Sequence, residues 1–383
     1  MNICIITSSY PLNPGDASAS AGVFVKDFAL ELARRGNKVH VLTQQKKGTA
    51  IDDKEINIVR FPWRGGNKRL STLKLNNLKD LIDMVSLVLN GKKALFNLIR
   101  KEKIHLIIAM WAVPCGGLAY LAHRKFGTPY ITWTLGSDIW VYGRNKITRP
   151  IIKAILKSSS KIYADGKVLM RETQNIAGKE CAFLPTTRIL PKDNLPDIEL
   201  DKGRKHFLYI GRYHPNKGTD VLIDAINLIP RDILGNMYFH VFGGGELEEA
   251  LKQKVSEYEL ERYVSINGYI TPEYAAAYLK KAQALIIPSR IESIPIVLSD
   301  ALQCDCPIIA TDTGDMGELL KNNNVGKIAE PENPKMLSEK IIEFLDADRN
   351  DYKDRIRKLY ELFNMSNIVE KISGSFSEYN NPV

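Results

Sequence analysis

In GRYHPNKGTD, residues 211–220, Arg212 and Lys217 stand five positions apart, bracketed by Gly211 and Gly218. An apolar run with Phe207, Leu208 and Ile210 precedes the loop, and Val221, Leu222, Ala225 and Ile226 follow it at helical spacing. A planar guanidinium fork and an ammonium point charge beside flexible backbone suit an anion, most directly a diphosphate. Each charge-assisted bond of this kind contributes on the order of 1.5 to 3 kcal/mol where it is partly desolvated.

A second stretch, PSRIESIPIVLSDALQ, carries two carboxylates. Glu292 follows the apolar ALII run, and Asp300 comes eight residues later inside a predicted helix. Between them Ser293, Ile294, Pro295 and Ile296 offer backbone amides near a helix N-terminus, which favours an anion or hydroxyl oxygens. Glu292 can hold sugar hydroxyls; Asp300, two helical turns on, is expected on the same face, within reach of a ribose diol. A third stretch, FGGGEL, holds Gly243, Gly244 and Gly245. It permits close backbone approach at a helix start but lacks the G-x-G-x-x-G spacing of a dinucleotide fingerprint.

These loops need elements to hold them. NICIIT is a short apolar run ending in a Ser-, Pro- and Gly-rich loop from Ser8 to Gly22; Phe24, Phe28 and Leu32 then share a helical face that Gly36 stops, and KVHVLT follows as a strand. Strand, loop, helix, strand is the unit of a parallel sheet, and HLIIAMW, PYITWT and KIYADG continue it. The grammar restarts with HFLYIG, MYFHVFGGG, YVSINGY, ALIIPS and PIIATD. The sequence therefore predicts an α/β protein of two doubly wound, Rossmann-like domains facing a cleft, with ligands at the carboxyl ends of the strands. The polar stretch 191–203 places the boundary, giving domains over 1–195 and 196–360.

At 383 residues the chain exceeds the ~250 to 300 at which one core stops growing, in keeping with two domains. The N-terminal ICII is too short for a signal peptide and no apolar run reaches the ~20 residues of a membrane span, so a cytoplasmic location is expected. Five scattered cysteines without metal-spaced histidines read as reduced core thiols, and no metal site is expected. The net charge of +9 is uneven: residues 1–200 hold 31 Lys and Arg against 16 Asp and Glu. That half is expected to meet something anionic, unless it is simply a solvated basic surface. Residues 64–103 interleave ten Lys and Arg with an apolar series from Leu73 to Ile99, the pattern of a basic amphipathic helix on an anionic membrane or of a core-facing helix with a basic outer side. Interleaved aromatics and a reader motif are missing there, which argues against nucleic acid.

Taken together, GRYHPNKGTDVLIDAI, the FGGGEL turn and ESIPIVLSDALQCDCPIIATD with Gly317 and Glu318 resemble the retaining GT-B glycosyltransferases of the group-1, glycogen-synthase-like family. The N-terminal PLNPGDASASAGVFVKDFALELARRGNKVHVLT resembles the same family. The resemblance implies that Arg212 and Lys217 bind the donor's diphosphate, Glu292 the transferred sugar and Asp300 the ribose. It further implies that Gly22 with Gly15 brings the N-terminal loop against the phosphates, that residues near Tyr269 line the base, and that 361–383 form a C-terminal helix packing back on the first domain. The implied activity is retaining transfer of a hexose-type sugar from a nucleoside diphosphate sugar to a glycan or lipid-linked acceptor, with no metal demanded because cations meet the leaving diphosphate. A sugar-nucleotide epimerase or a catalytically silent nucleotide-sugar-binding partner would share this architecture.

The chain also departs from the family's pattern. Asp300 stands where the family usually has Glu, Asp305 where it has Gly, and Thr186 and Thr187 where it commonly has Asn-Gly. In TLGSDIW, Leu135 replaces a family histidine ahead of Gly136, Ser137 and Asp138, the last counted among the catalytic candidates. A leucine cannot donate a hydrogen bond, so either the donor sugar is held differently or activity has been lost.

Overall fold

The apolar runs of the first half become parallel strands: β1 (Asn2–Ile6), β2 (Lys38–Gln44), β3 (Asn57–Phe61), β4 (Leu106–Met110), β5 (Tyr130–Thr134), β6 (Lys161–Ala164) and β7 (Ala182–Phe183). They lie in the order β3-β2-β1-β4-β5-β6-β7, with Ile3 opposite Val39 on one side and Leu106 on the other. The strand order reverses beside β1, where such sheets bind ligands. β4 and β5 are buried along their whole length, as strands covered on both faces must be.

The helices of this half are α1 (Val23–Arg34), α2 (Leu78–Glu102), α3 (Gly117–Phe126), the single turn α4 (Ser137–Trp140), α5 (Arg149–Ser158) and α6 (Lys167–Ala177). On α1 the expected face is buried, and Phe24 and Phe28 meet the Trp133 ring edge-on at 5.8 and 5.5 Å. The Asn77 side chain caps α2 by accepting from the Lys79 and Asp80 amides. Helix α2 has two apolar sides: Leu87, Leu95, Leu98 and Ile99 are in the core, whereas Leu78, Leu81, Ile82, Val85 and Leu89 are exposed.

The second half forms another parallel sheet from β8 (Lys205–Arg212), β9 (Met237–Gly244), β10 (Val264–Asn267), β11 (Ala284–Ile287), β12 (Ile308–Thr311) and β13 (Gly326–Ala329), in the order β10-β9-β8-β11-β12-β13. Its helices are α7 (Thr219–Asn227), α8 (Arg231–Leu234), α9 (Glu248–Glu257), α10 (Pro272–Lys281), α11 (Ile296–Gln303), α12 (Met316–Asn323), α13 (Pro334–Ile342) and α14 (Lys353–Tyr360). Phe207 stacks on Phe239 at 5.3 Å in the core beneath α7, α9 and α13. Here too the order reverses between β8 and β11, so the loops after these strands stand side by side.

The computed structural model describes residues 1–12, 22–49, 54–68, 70, 73, 77–374 and 376. It divides into one unit of Met1–Arg188 with the segment from Met365, and another of Ile189–Asn364. The last helix, α15 (Met365–Ser373), belongs to the first unit, where Arg35 of the α1 C-cap donates to the Ser366 carbonyl and hydroxyl at 2.8 and 2.6 Å. All five cysteines are buried and free, and burial pushes the Cys304 and Cys306 thiols up to about 12 and 11. Such thiols stay protonated and unreactive. Among the described residues no helix is long and apolar enough to cross a membrane.

Candidate active site

Arg212 is the last residue of β8 and is exposed; its guanidinium has no ion-pair partner among the described residues. Its backbone is fixed from below, because the buried Tyr209 hydroxyl donates to the Arg212 carbonyl at 3.0 Å and accepts from Thr219 at 2.8 Å. Burial pushes the Tyr209 phenol well above its ordinary value, so it remains a donor throughout the working pH range.

The chain then turns through Pro215–Lys217 to Gly218, which has φ of +64° and lies so near the neighbouring loop that a Cβ would fall 1.9 Å from the Pro288 carbonyl oxygen. Only glycine meets both demands. The same two loops are joined by Arg290, after β11. Its amide donates to the Asn216 carbonyl at 2.8 Å, and its guanidinium reaches both Asp220 oxygens at 2.8 Å, the Pro215 carbonyl at 2.6 Å and Glu332 at 3.0 Å. Burial opposes the charged form of Asp220, but the Arg290 hydrogen bonds and charge outweigh it and hold Asp220 below the ordinary aspartate value.

The outcome of this clamp is that Lys217 forms an ion pair with Glu292, 75 residues away in sequence, with side chains 23% and 18% exposed. A cation and a carboxylate thus stand together at the carboxyl edge of the sheet, next to the unpaired Arg212. An anion arriving beside Lys217 and Arg212 would find two positive donors, and Glu292 would remain to accept from hydroxyls.

Glu292 and Asp300 do not share a helical face. Pro295 caps α11, so the helix begins at Ile296 and Glu292 belongs to the preceding loop. Asp300 is fully buried inside α11, which excludes a solvated role, and Ser293, Ile294 and Pro295 are buried too. No side chain caps the start of α11; the Leu298 amide donates to the Pro295 carbonyl at 2.9 Å, so the Ile296 and Val297 amides are the ones an anion at this helix N-terminus would meet. The loop after β12 completes the arrangement, and nothing in the sequence marked it: the Asp315 amide donates to the Ser293 carbonyl at 3.2 Å, and the buried Thr313 hydroxyl has no hydrogen-bond partner among the described residues. Such an orphan is the only local signal that could have found Thr313.

Gly211, next to last in β8, lies opposite Gly243, and the triple glycine serves packing instead of opening a helix. A Cβ on Gly243 would lie 1.9 Å from the Gly211 carbonyl oxygen, and one on Gly244 would strike the Tyr269 ring at 2.7 Å. Tyr269 is 66% exposed and donates to the Gly244 carbonyl at 3.2 Å, which presents a flat aromatic face to solvent beside these strand ends.

In the first unit, Gly15 lies outside the described residues. Gly22 sits at the start of α1 against the loop after β1, where a Cβ would fall 1.8 Å from the Ser9 carbonyl oxygen. Asp138 is buried, and its carboxylate accepts from the Ala112 amide at 2.7 Å and the Leu135 amide at 3.2 Å. It therefore ties the loop after β4 to the loop after β5. Burial pushes Asp138 up to about 6 despite these donors. Leu135 enters this clamp only through its backbone. Asp305 has φ of +51° directly after the α11 C-cap, the left-handed conformation in which glycine is ordinary, and Arg357 grips its carboxylate at 3.1 and 3.0 Å. That departure concerns a helix end and not the anion loops.

A family model described as "Glycosyl transferases group 1" matches residues 192–360, and one described as "Glycosyl transferase 4-like" matches 17–166. An uncharacterized glycosyltransferase of Methanocaldococcus jannaschii is 29% identical over 266 residues, 69% of this chain and 72% of that protein. Among solved structures, a sucrose-phosphate synthase from Thermosynechococcus elongatus superposes with a TM-score of 0.76 at 18% identity over 98% of each chain. The Anabaena protein HepE, solved in complex with UDP, superposes with a TM-score of 0.71 at 15% identity, covering 99% of this chain and 100% of that one. At these identities the structural likenesses show the fold.

Proposed function

Because the chain belongs to the group-1 glycosyltransferases of GT-B fold, we propose that it transfers a hexose-type sugar from a nucleoside diphosphate sugar to a glycan or lipid-linked acceptor, with retained configuration. The observation that carries this reading is the pairing of Lys217 with Glu292 beside the unpartnered Arg212, at the switch point of the second sheet. Lys217 would exchange Glu292 for the donor's diphosphate, and Glu292 would accept from the sugar's hydroxyls. The bond from the anomeric carbon to the diphosphate oxygen breaks as the acceptor hydroxyl oxygen bonds to that carbon, and the hydroxyl proton leaves with the diphosphate. Arg212, Lys217 and the α11 N-terminus meet the charge that develops, which is usually the largest contribution to catalysis. Tyr269 offers a stacking face for the base, and Asp300, fully buried in α11, would have to be uncovered by the arriving donor to accept from the ribose hydroxyls. Asp138, with both oxygens engaged, acts by positioning the loops of the first unit.

The acceptor belongs to the basic first unit, and the exposed apolar side of α2 with Lys79, Lys92 and Lys93 supports attachment to an anionic membrane. Sedimentation with vesicles containing phosphatidylglycerol tests this; recovery of all protein in the supernatant at low salt contradicts it. A second reading, a catalytically silent nucleotide-sugar-binding partner, is favoured by Leu135 alone. Incubation with nucleoside diphosphate sugars and candidate acceptors, read by mass spectrometry for the sugar's mass and by NMR for the anomeric configuration, separates the two. Nucleotide binding without any transfer or donor hydrolysis would leave the silent reading.

A further inference from the structure

From Lys103 to Ala164 the sequence holds nine Lys and Arg and a single carboxylate, Asp138, which is 1% exposed. The surface of this whole stretch is therefore without a negative side chain of its own. Within it, the loop that follows β5 at the carboxyl edge of the first sheet, and the start of α5, alternate cations with exposed aliphatic residues. Arg144, Lys146 and Arg149 are exposed, and Val141, Ile147 and Ile151 between and around them are 61%, 77% and 56% exposed. None of the three cations has a carboxylate partner among the described residues.

This display is built. Asn145 accepts from the Ile147 and Thr148 amides at 2.9 and 3.4 Å, the Thr148 hydroxyl donates to the Tyr142 carbonyl, and Arg149 donates to the Gly143 carbonyl at 3.2 Å. Gly143 is anchored so tightly that a Cβ would lie 2.4 Å from the Ile139 carbonyl oxygen. The two ends of the 142–148 turn are thus stitched together. Three cations and three aliphatic side chains are held on one short segment, where solubility alone would call for mixed charges and no isoleucines.

We infer that residues 141–151 form a subsite for the phosphate or diphosphate headgroup of an amphiphilic acceptor, with Val141, Ile147 and Ile151 flanking the first part of its hydrocarbon chain. The inference rests on the reading above that the first unit takes the acceptor, and it names the acceptor's class: a lipid-linked phosphate. Cations matched to phosphate and aliphatics matched to a chain are both needed for such a ligand, and an uncharged glycan would use neither.

Calorimetric titration of the full chain with farnesyl diphosphate, below its micellar concentration, tests this. Wild type should bind it and should bind inorganic pyrophosphate more weakly. The double substitution Arg144→Gln with Lys146→Gln, at exposed positions that carry no core contact, should weaken farnesyl diphosphate about tenfold or more, the scale of losing charge-assisted bonds. Ile147→Ser should weaken farnesyl diphosphate and leave pyrophosphate unchanged. Lys217→Ala, which removes the diphosphate cation of the second unit, should leave the farnesyl diphosphate affinity as it is. Equal affinity in wild type and the double variant overturns the subsite, and so does binding only to phosphatidylglycerol vesicles with none to the monomeric amphiphile. Insensitivity to Ile147→Ser reduces the site to a free-phosphate site and overturns the lipid assignment. Stabilisation by UDP, recorded on the same samples, separates failure of this subsite from failure of the glycosyltransfer reading.

Discussion

Arg290→Ala should damage donor use far more than it damages the fold. The substitution removes two 2.8 Å bonds to Asp220, one of 2.6 Å to the Pro215 carbonyl and one of 3.0 Å to Glu332. Glu332 is 69% exposed, so that bond contributes little. The Asp220 fork and the carbonyl bond are charge-assisted but partly open to water, with Arg290 and Asp220 side chains 23% and 34% exposed, so the loss of stability should be about 1 to 2 kcal/mol. For a unit of this size that lowers the melting temperature by a few degrees, roughly 2 to 4 °C per kcal/mol. The loop that carries Lys217 also loses its attachment to the loop that carries Glu292, and misplacement of about an ångström costs on the order of 100-fold in rate. Donor turnover, assayed as nucleotide release, should therefore fall roughly 10- to 100-fold in kcat/KM. Asp220→Asn should reproduce much of the loss, and the double variant should be little worse than either single one because the two act as a unit. Asp220 is held below its ordinary value of 3.8, so the pair's contribution is complete above that value and is lost only as the pH falls through the lower folded pKa. Donor kinetics within twofold of wild type in Arg290→Ala, alongside the modest melting shift, would refute the view that this clamp positions the site.

Glu292→Gln should keep nucleoside diphosphate affinity within a few-fold while reducing turnover by about 100-fold or more, because the ion pair with Lys217 is lost without loss of the cation; calorimetry and nucleotide release read the two separately. Asp138→Asn should show a pH-dependent cost. The folded pKa of Asp138 is raised to about 6, so its stabilisation is full below the unfolded value of 3.8 and is lost as pH rises to about 6. The stability difference between wild type and Asp138→Asn should accordingly shrink by about 2 to 3 kcal/mol between pH 4 and 7 in urea unfolding, and a constant difference contradicts the burial that raises Asp138 over its two amide donors.

Much of this architecture was legible because burial on both faces forces continuous apolar runs, and the runs at Ile3, Leu106, Tyr130, Phe207, Phe239 and Leu285 all became strands. β3, β7 and β13 were missed: NIVRF alternates with polar residues at a sheet edge, and the others are too short to show a period. That Lys217 and Glu292 sit in loops after strands of one sheet, with Arg212 at the end of such a strand, could be read from the apolar runs that precede them; their roles toward a donor remain the proposal made above. The clamp made by Arg290 could not be read, because its partner Asp220 is 70 residues away and nothing local distinguishes it from a surface cation. The triple glycine misled, since its cause is the approach of Gly211 from β8 and of the Tyr269 ring from the loop after β10. The common face expected of Glu292 and Asp300 failed because Pro295 starts α11 later than a helical count from Glu292 would have it.

The central claim is that the loop from Arg212 to Gly218 binds a nucleoside diphosphate, and thermal unfolding of wild type and Lys217→Ala with UDP, GDP and ADP tests it most directly. A nucleotide at 100 times its dissociation constant adds about 2.7 kcal/mol, enough to raise the melting temperature by several degrees. One of the three should stabilise wild type by that amount and Lys217→Ala by little or nothing, whereas equal stabilisation of both proteins, or of neither by any nucleotide, would contradict the account.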